Sequence, residues 1–75
     1  MEEIIDREYY IACINDKFPC GDEIELEDYL KAANKAIDKT LESYTRNGKV
    51  SVEDWDMFDQ DLYTNANYEL DKLYD

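Results

Sequence analysis

The chain has no histidine, which removes the side chain best suited to acid–base work near neutral pH and the commonest nitrogen ligand for zinc. Only two cysteines are present, Cys13 and Cys20, and two thiols cannot close a four-ligand zinc site within one chain. A disulfide between them is geometrically open, but the intracellular setting expected below favours free thiols, with Cys13 as a small core residue and Cys20 in a loop. Glycine is confined to Gly21 and Gly48, so there is no glycine-rich phosphate loop. Pro19 is the single proline, and no Gly/Ser/Pro-rich stretch divides the interior, so residues 1–75 are expected to form one domain. The start, MEEIIDRE, lacks a basic segment followed by an apolar one, and no run approaches a membrane span. A soluble, cytoplasmic protein is expected. No serine or cysteine has a plausible partner base, and no cofactor is implied. A catalytic role is therefore not expected, although carboxylate pairs can act as acid and base in other settings.

What is abundant is negative charge. Twenty acidic residues face eight basic ones, for a net charge of −12. Self-repulsion on that scale works against a small fold, and it argues against direct binding to nucleic-acid phosphates. It favours fast association with a basic surface instead. The simpler consequence of such acidity is solubility. At 44% hydrophobic residues with seven tyrosines, the chain also has the material for a core, which argues against disorder.

Two amphipathic helices are legible. Across 26–46, Leu26, Tyr29, Leu30, Ala33, Ile37, Leu41 and Tyr44 recur at three- and four-residue steps. Pro19, Cys20 and Gly21 mark the loop before it, and Asp22 with Glu25 has the spacing of a capping box. Acids crowd its start and lysines its later turns, an order that suits the helix dipole. Across 52–73, Trp55, Phe58, Leu62, Ala66, Leu70 and Leu73 form a second apolar stripe. The first segment is ambiguous. EYYIACI, residues 8–14, has high strand propensity, whereas Ile5, Tyr9 and Ala12 fit a helix over about residues 2–15. The expected fold is all-α, a small bundle of about three helices. An α+β fold with a short strand at 8–14, a hairpin around Asn47-Gly48, or both, is the alternative.

The stretch NGKVSVEDW, residues 47–55, resembles the second half of an EF-hand loop. With Gly48 at loop position 6, Ser43, Thr45 and Asn47 fall at positions 1, 3 and 5, and Asp54 at position 12, where a glutamate is usual. The acids that supply ligand charge early in such a loop are missing, so calcium binding is not expected. Two structural readings remain. Asn-Gly is a strong hairpin turn; alternatively Gly48 stops one helix, Ser51 and Asp54 cap the next, and Val50 staples onto Trp55. The second is preferred because Tyr44 continues the stripe of the preceding helix.

Charge is uneven along the chain. Between Lys49 and Lys72 lie seven acids and no basic residue. At about 100° per residue, Glu53, Asp71 and Asp75 fall opposite the apolar stripe, Asp56 on one flank, and Asp54 and Asp61 on the other. Asp59 and Glu69 lie near the core boundary. Carboxylates three or four positions apart are about 5–6 Å apart at Cβ, comparable with phosphates along a strand. Tyr63, Thr64, Asn67 and Tyr68 interleave with them and offer contact area. The candidate partner-binding residues are Glu53, Asp54, Asp56, Asp61, Tyr63, Tyr68 and Asp71.

In size, acidity and tyrosine- and asparagine-rich helical make-up, the chain resembles small phage-encoded inhibitors of host defence, the DNA-mimic antirestriction and anti-CRISPR proteins. The resemblance is compositional, spans the whole chain and shares no motif, so no functional residue is carried over from it. It implies a mode of action: blocking the basic nucleic-acid or recognition surface of a nuclease or CRISPR effector, in the host cytoplasm. Two alternatives stand beside it. One is an antitoxin or immunity-type protein covering a basic toxin. The other is an acidic subunit that self-associates, for instance as a homodimer, through Tyr9-Tyr10-Ile11.

Overall fold

The computed structural model describes residues 5–74, and within them it is a small, mostly helical bundle. Helix α1 spans Arg7–Lys17, α2 Leu26–Ser43 and α3 Trp55–Asp71. Between α2 and α3, strands β1 (Thr45–Arg46) and β2 (Lys49–Val50) pair antiparallel, Thr45 opposite Val50 and Arg46 opposite Lys49. A 3-10 turn, Lys72–Tyr74, follows α3. The expected helical residues 2–4 and Asp75 lie outside the described residues.

The 8–14 run is helical. Asp6 caps it by accepting from the Tyr9 N–H, which satisfies one of the orphan donors of the first turn. Its inward side differs from the expected one. Tyr9 and Ala12 are exposed, while Tyr10 packs at the core edge and Ile14, four positions on, is fully buried. The Tyr9-Tyr10-Ile11 patch is thus largely used within the fold, leaving Tyr9 as its exposed member.

Helix α2 begins without the Asp22–Glu25 box. The Ile24 N–H bonds the Gly21 carbonyl in a turn, and Glu25 occupies the cap position with no side-chain hydrogen bond. Leu26 therefore opens the helix 63% exposed, and the working stripe starts at Tyr29. Three alanines, Ala32, Ala33 and Ala36, lie buried along α2. Small side chains there let α3 approach closely and seat Phe58, Leu62, Ala66 and Leu70. Contacts of Lys39 with Glu69, Thr40 with Asn65, and Tyr44 with Asp61 step in opposite directions along the two helices, so α2 and α3 run antiparallel.

The joint between them corrects the preferred reading. Helix α2 ends at Ser43, not near residue 46. Asn47 and Gly48 have φ of 54° and 77°, positive at both central positions as a type I′ hairpin turn requires, and its twist matches the flanking strands. Gly48 thus serves the turn rather than the helix stop. The Ser51 N–H extends the pairing to the Tyr44 carbonyl at 2.9 Å. Ser51 does not cap; Asp54 does, accepting from the Asp56 and Met57 N–H groups at 3.0 and 3.3 Å. Val52, not Val50, packs on the core. Trp55 consequently sits at the first helical residue with 43% of its surface exposed. The Ser43 and Thr45 hydroxyls, set against calcium-loop positions above, donate back to the Lys39 and Leu41 carbonyls.

Candidate protein-binding face

The seven candidate residues do not form one patch. Helix α3 divides them between its two neighbours. On the side of α2 and the hairpin, the Tyr44 hydroxyl donates to Asp61 Oδ2 at 2.8 Å. That bond, then burial and the charges of Asp61 and Asp54, raise the Tyr44 phenol above its ordinary value. Asp54 and Asp61 thus share the surroundings of one phenol. Glu53 joins Asp54 in the wall of a shallow cavity of about 320 Å³ beside the hairpin, which Tyr44, Arg46 and Met57 also line.

On the side of α1, Asp56 lies near Asp59. Burial, then the Asp56 charge, raises the Asp59 carboxyl above its ordinary range. Asp59 Oδ1 is buried and makes no hydrogen bond among the described residues. Tyr9, Tyr10 and Tyr63 are all close enough for Asp59 to raise their phenols further. Tyr63 itself is half-buried, its ring edge-on to Phe18 at 6.4 Å, with Lys17 Nζ 4.8 Å from its centroid.

The far half of α3 has a different electrostatic character. Glu69 is buried, with 3% of its side chain exposed, and Lys39, Lys72 and Lys35 reach it at 3.0, 3.5 and 3.6 Å. The hydrogen bond from Lys39 leads in lowering its carboxyl pKa, against the opposing effect of burial, and the three ammonium charges add to it. Lys39 and Lys72 also flank the Tyr68 ring, at 4.8 and 4.3 Å from its centroid, a cation–π arrangement. Tyr68 is 57% exposed but lies on a spot where three lysines outnumber one carboxylate. Asp71, exposed at the end of α3, borders a separate cavity of about 260 Å³ with Tyr29, Asn67 and Tyr74.

The structure therefore gathers Glu53, Asp54, Asp56 and Asp61 at the hairpin end of α3 and leaves Tyr63, Tyr68 and Asp71 apart from them. Sequence reasoning missed Tyr44 as a member of the acidic end and the lysine convergence on Glu69. The spacing of Lys35 and Lys39, four apart on one face of α2, was the available signal for the latter. It also placed Trp55 inside the core stripe. Both cysteines are free and half-buried, Cys20 directed at the Gly21 and Ile24 carbonyls at 3.6 Å. No helix among the described residues is long and apolar enough to cross a membrane.

Comparison of the chain with protein-family models, curated proteins and solved structures finds no match.

Proposed function

We propose that this protein is a non-catalytic inhibitor that binds a basic surface of a nucleic-acid-processing enzyme, such as a nuclease or CRISPR effector, and blocks it sterically. The carrying observation is the segregation of charge. Three of the six lysines converge on the single carboxylate of Glu69. Glu53, Asp54, Asp56, Asp59 and Asp61 lie within nine residues and make no ion pair among the described residues. Carboxylates without ion pairs, three on α3 and two just before it, supply the field that steers a basic partner, and a helical backbone beneath them lowers the ordering cost of binding. A partner that follows the length of α3 also meets Tyr63 and Asp71, with Tyr68 at the edge.

The test is a pull-down from lysates of bacteria that carry restriction or CRISPR systems, repeated with Asp54, Asp56, Asp61 and Asp71 changed together to Asn. Capture of a nuclease or CRISPR effector that DNA displaces, and that the fourfold variant loses, supports the reading. Retention of the partner by the variant rejects this face. Binding unchanged at about 0.5 M salt, where the screening length is roughly 4 Å, rejects the electrostatic mode. Capture of a toxin instead favours the antitoxin alternative.

A further inference from the structure

Two shallow cavities, of about 260 and 460 Å³, share Lys17, Phe18 and Asn67 in their linings. Together they make one groove between the end of α1 and α3. Its α3 wall is a single row on one side of the helix: Gln60, Thr64, Asn67 and Asp71 follow at steps of four, three and four, with Tyr63 beside them. The opposite wall, Lys17 to Pro19, is fixed within the fold. The Tyr29 hydroxyl donates to the Phe18 carbonyl, the Phe18 N–H to the Ile14 carbonyl at 2.6 Å, and the Cys20 N–H to Asn15 Oδ1 at 3.3 Å. The edge-on contact of Phe18 with Tyr63 joins the two walls. The side-chain amides of Gln60 and Asn67 are exposed and make no hydrogen bond among the described residues.

Resting on the inhibitor reading, we propose that this groove takes an extended segment of the basic partner, about seven residues long with a basic side chain near each end. The chemistry of the α3 wall selects an extended main chain. A strand lying alone carries unpaired N–H and C=O groups, and a primary amide offers them both an acceptor and donors. Gln60 and Asn67 supply two such amides on one row. A partner helix brings a backbone already bonded to itself and asks for apolar anchors, which a row of Gln, Thr and Asn does not supply. Charge sets the length. Asp71 lies at one end of the groove, and Asp56, one turn before Gln60 on the same side of α3, extends the row at the other. Both are exposed and without an ion pair among the described residues. Along the helix they stand roughly 22 Å apart, the reach of about seven extended residues. Lys17, the cation between them, is already engaged by the Tyr63 ring at 4.8 Å. A wall held by its own hydrogen bonds also lowers the ordering cost of docking.

The probes are two capped peptides of alternating arginine and serine, about ten residues long and equal in charge, one of them methylated at every internal backbone nitrogen. Each is titrated at low salt into the isotopically labelled full chain, following backbone and side-chain amide shifts. The unmethylated peptide should bind about tenfold more tightly. It should move the side-chain amide signals of Gln60 and Asn67 and leave that of Asn65, which already donates to Thr40, in place. Gln60→Ala with Asn67→Ala should weaken its binding about tenfold, and alanine at two exposed helical positions preserves the fold. Asp71→Asn should weaken it about threefold at low salt and not at all at about 0.5 M. Equal affinity for the two peptides overturns the proposal. So does undiminished binding by the double alanine variant, a shift map confined to residues 51–56 or 22–28, or no binding of either peptide. Groove shifts that depend on protein concentration without peptide assign the groove to a second copy of the chain and overturn it as well. The double alanine variant also enters the pull-down. A nuclease or effector that it retains overturns the groove and leaves the inhibitor reading standing. A parent chain that captures no such partner overturns the inhibitor reading, while the titration still decides the groove.

Discussion

Replacing Glu69 tests whether buried charge stabilises this fold or merely fills it. Its carboxylate is nearly sealed from water, while Lys35, Lys39 and Lys72 keep 62%, 42% and 48% of their side chains exposed. The two sides of the cluster therefore respond differently to mutation. Glu69→Gln keeps the shape and an acceptor, and the freed lysines turn into solvent at little cost. The loss is that of hydrogen bonds to a charged group, about 2 kcal/mol. For a domain of this size that corresponds to a fall in Tm of roughly 8–16 °C. Changing Lys39 alone to Gln leaves two ammonium groups within 3.6 Å of the carboxylate and should cost about 0.5–1 kcal/mol. Changing all three lysines strands a buried charge and should cost about 3–5 kcal/mol. Because that variant also deepens the net charge, the control is the triple change of Lys17, Lys31 and Lys49 to Gln. Urea titration followed by circular dichroism measures each value.

The pH dependence fixes the cause. In the fold, Glu69 titrates below its ordinary value of 4.5, so its contribution is complete above about that pH and is lost as pH falls through the depressed folded value. The gap between parent and Glu69→Gln should stay flat from about pH 7 to 5 and close below about pH 4.5. The reasoning fails if Glu69→Gln matches the parent at neutral pH and the triple lysine variant loses no more than its control.

Asp59 should behave in the opposite sense. Its folded carboxyl titrates above the ordinary 3.8, so the parent loses stability as pH rises from that value through the raised one. Asp59→Asn should match the parent in acid and exceed it at neutral pH; urea midpoints at the two ends of the range check this. At Gly48, nothing lies within 4 Å of an added Cβ and φ is +77°. Gly48→Ala should therefore cost about 1–2 kcal/mol through backbone conformation alone, read as a lower urea midpoint with an unchanged slope.

Periodicity was sufficient to find α2 and α3 because each buries a broad apolar stripe, and a 3.6-residue repeat states that directly. Their ends were harder to place, because several nearby residues compete to begin or end each helix. Both Ser51 and Asp54 are good caps, and the outcome turned on whether Asn47-Gly48 adopted a hairpin. That turn holds Ser51 in the β pairing with Tyr44 and passes the cap to Asp54. The displaced start then rotated Trp55 out of the core stripe, so one turn decided the exposure of the largest side chain in the chain. Asn65 shows the same limit. Its helix propensity is poor, yet its amide donates to the buried Thr40 hydroxyl at 2.8 Å, which in turn donates to the Ala36 carbonyl. A contact between helices twenty-five residues apart in sequence leaves no local signature.

Acidity at a helix start has two causes that look alike in sequence, the needs of the helix and the needs of a partner. The structure separates them residue by residue. Asp54 caps, Asp61 holds Tyr44, Glu69 gathers the lysines and Asp59 is partly buried. Glu53, Asp56 and Asp71 make no side-chain hydrogen bond or ion pair among the described residues, so charge there has no such structural use. Asp54 belongs to both groups, since one oxygen serves the cap while the carboxylate's charge remains. Asparagine caps as well as aspartate, whereas alanine loses about 1 kcal/mol of helix stability. Asp54→Asn therefore removes the charge and keeps the helix, and Asp54→Ala removes both. If binding tracks the charge, the two variants lose affinity together while only the alanine variant loses stability. If Asp54 is only a cap, the asparagine variant binds as the parent does, and the acidic end contacts its partner through Glu53, Asp56 and Asp61.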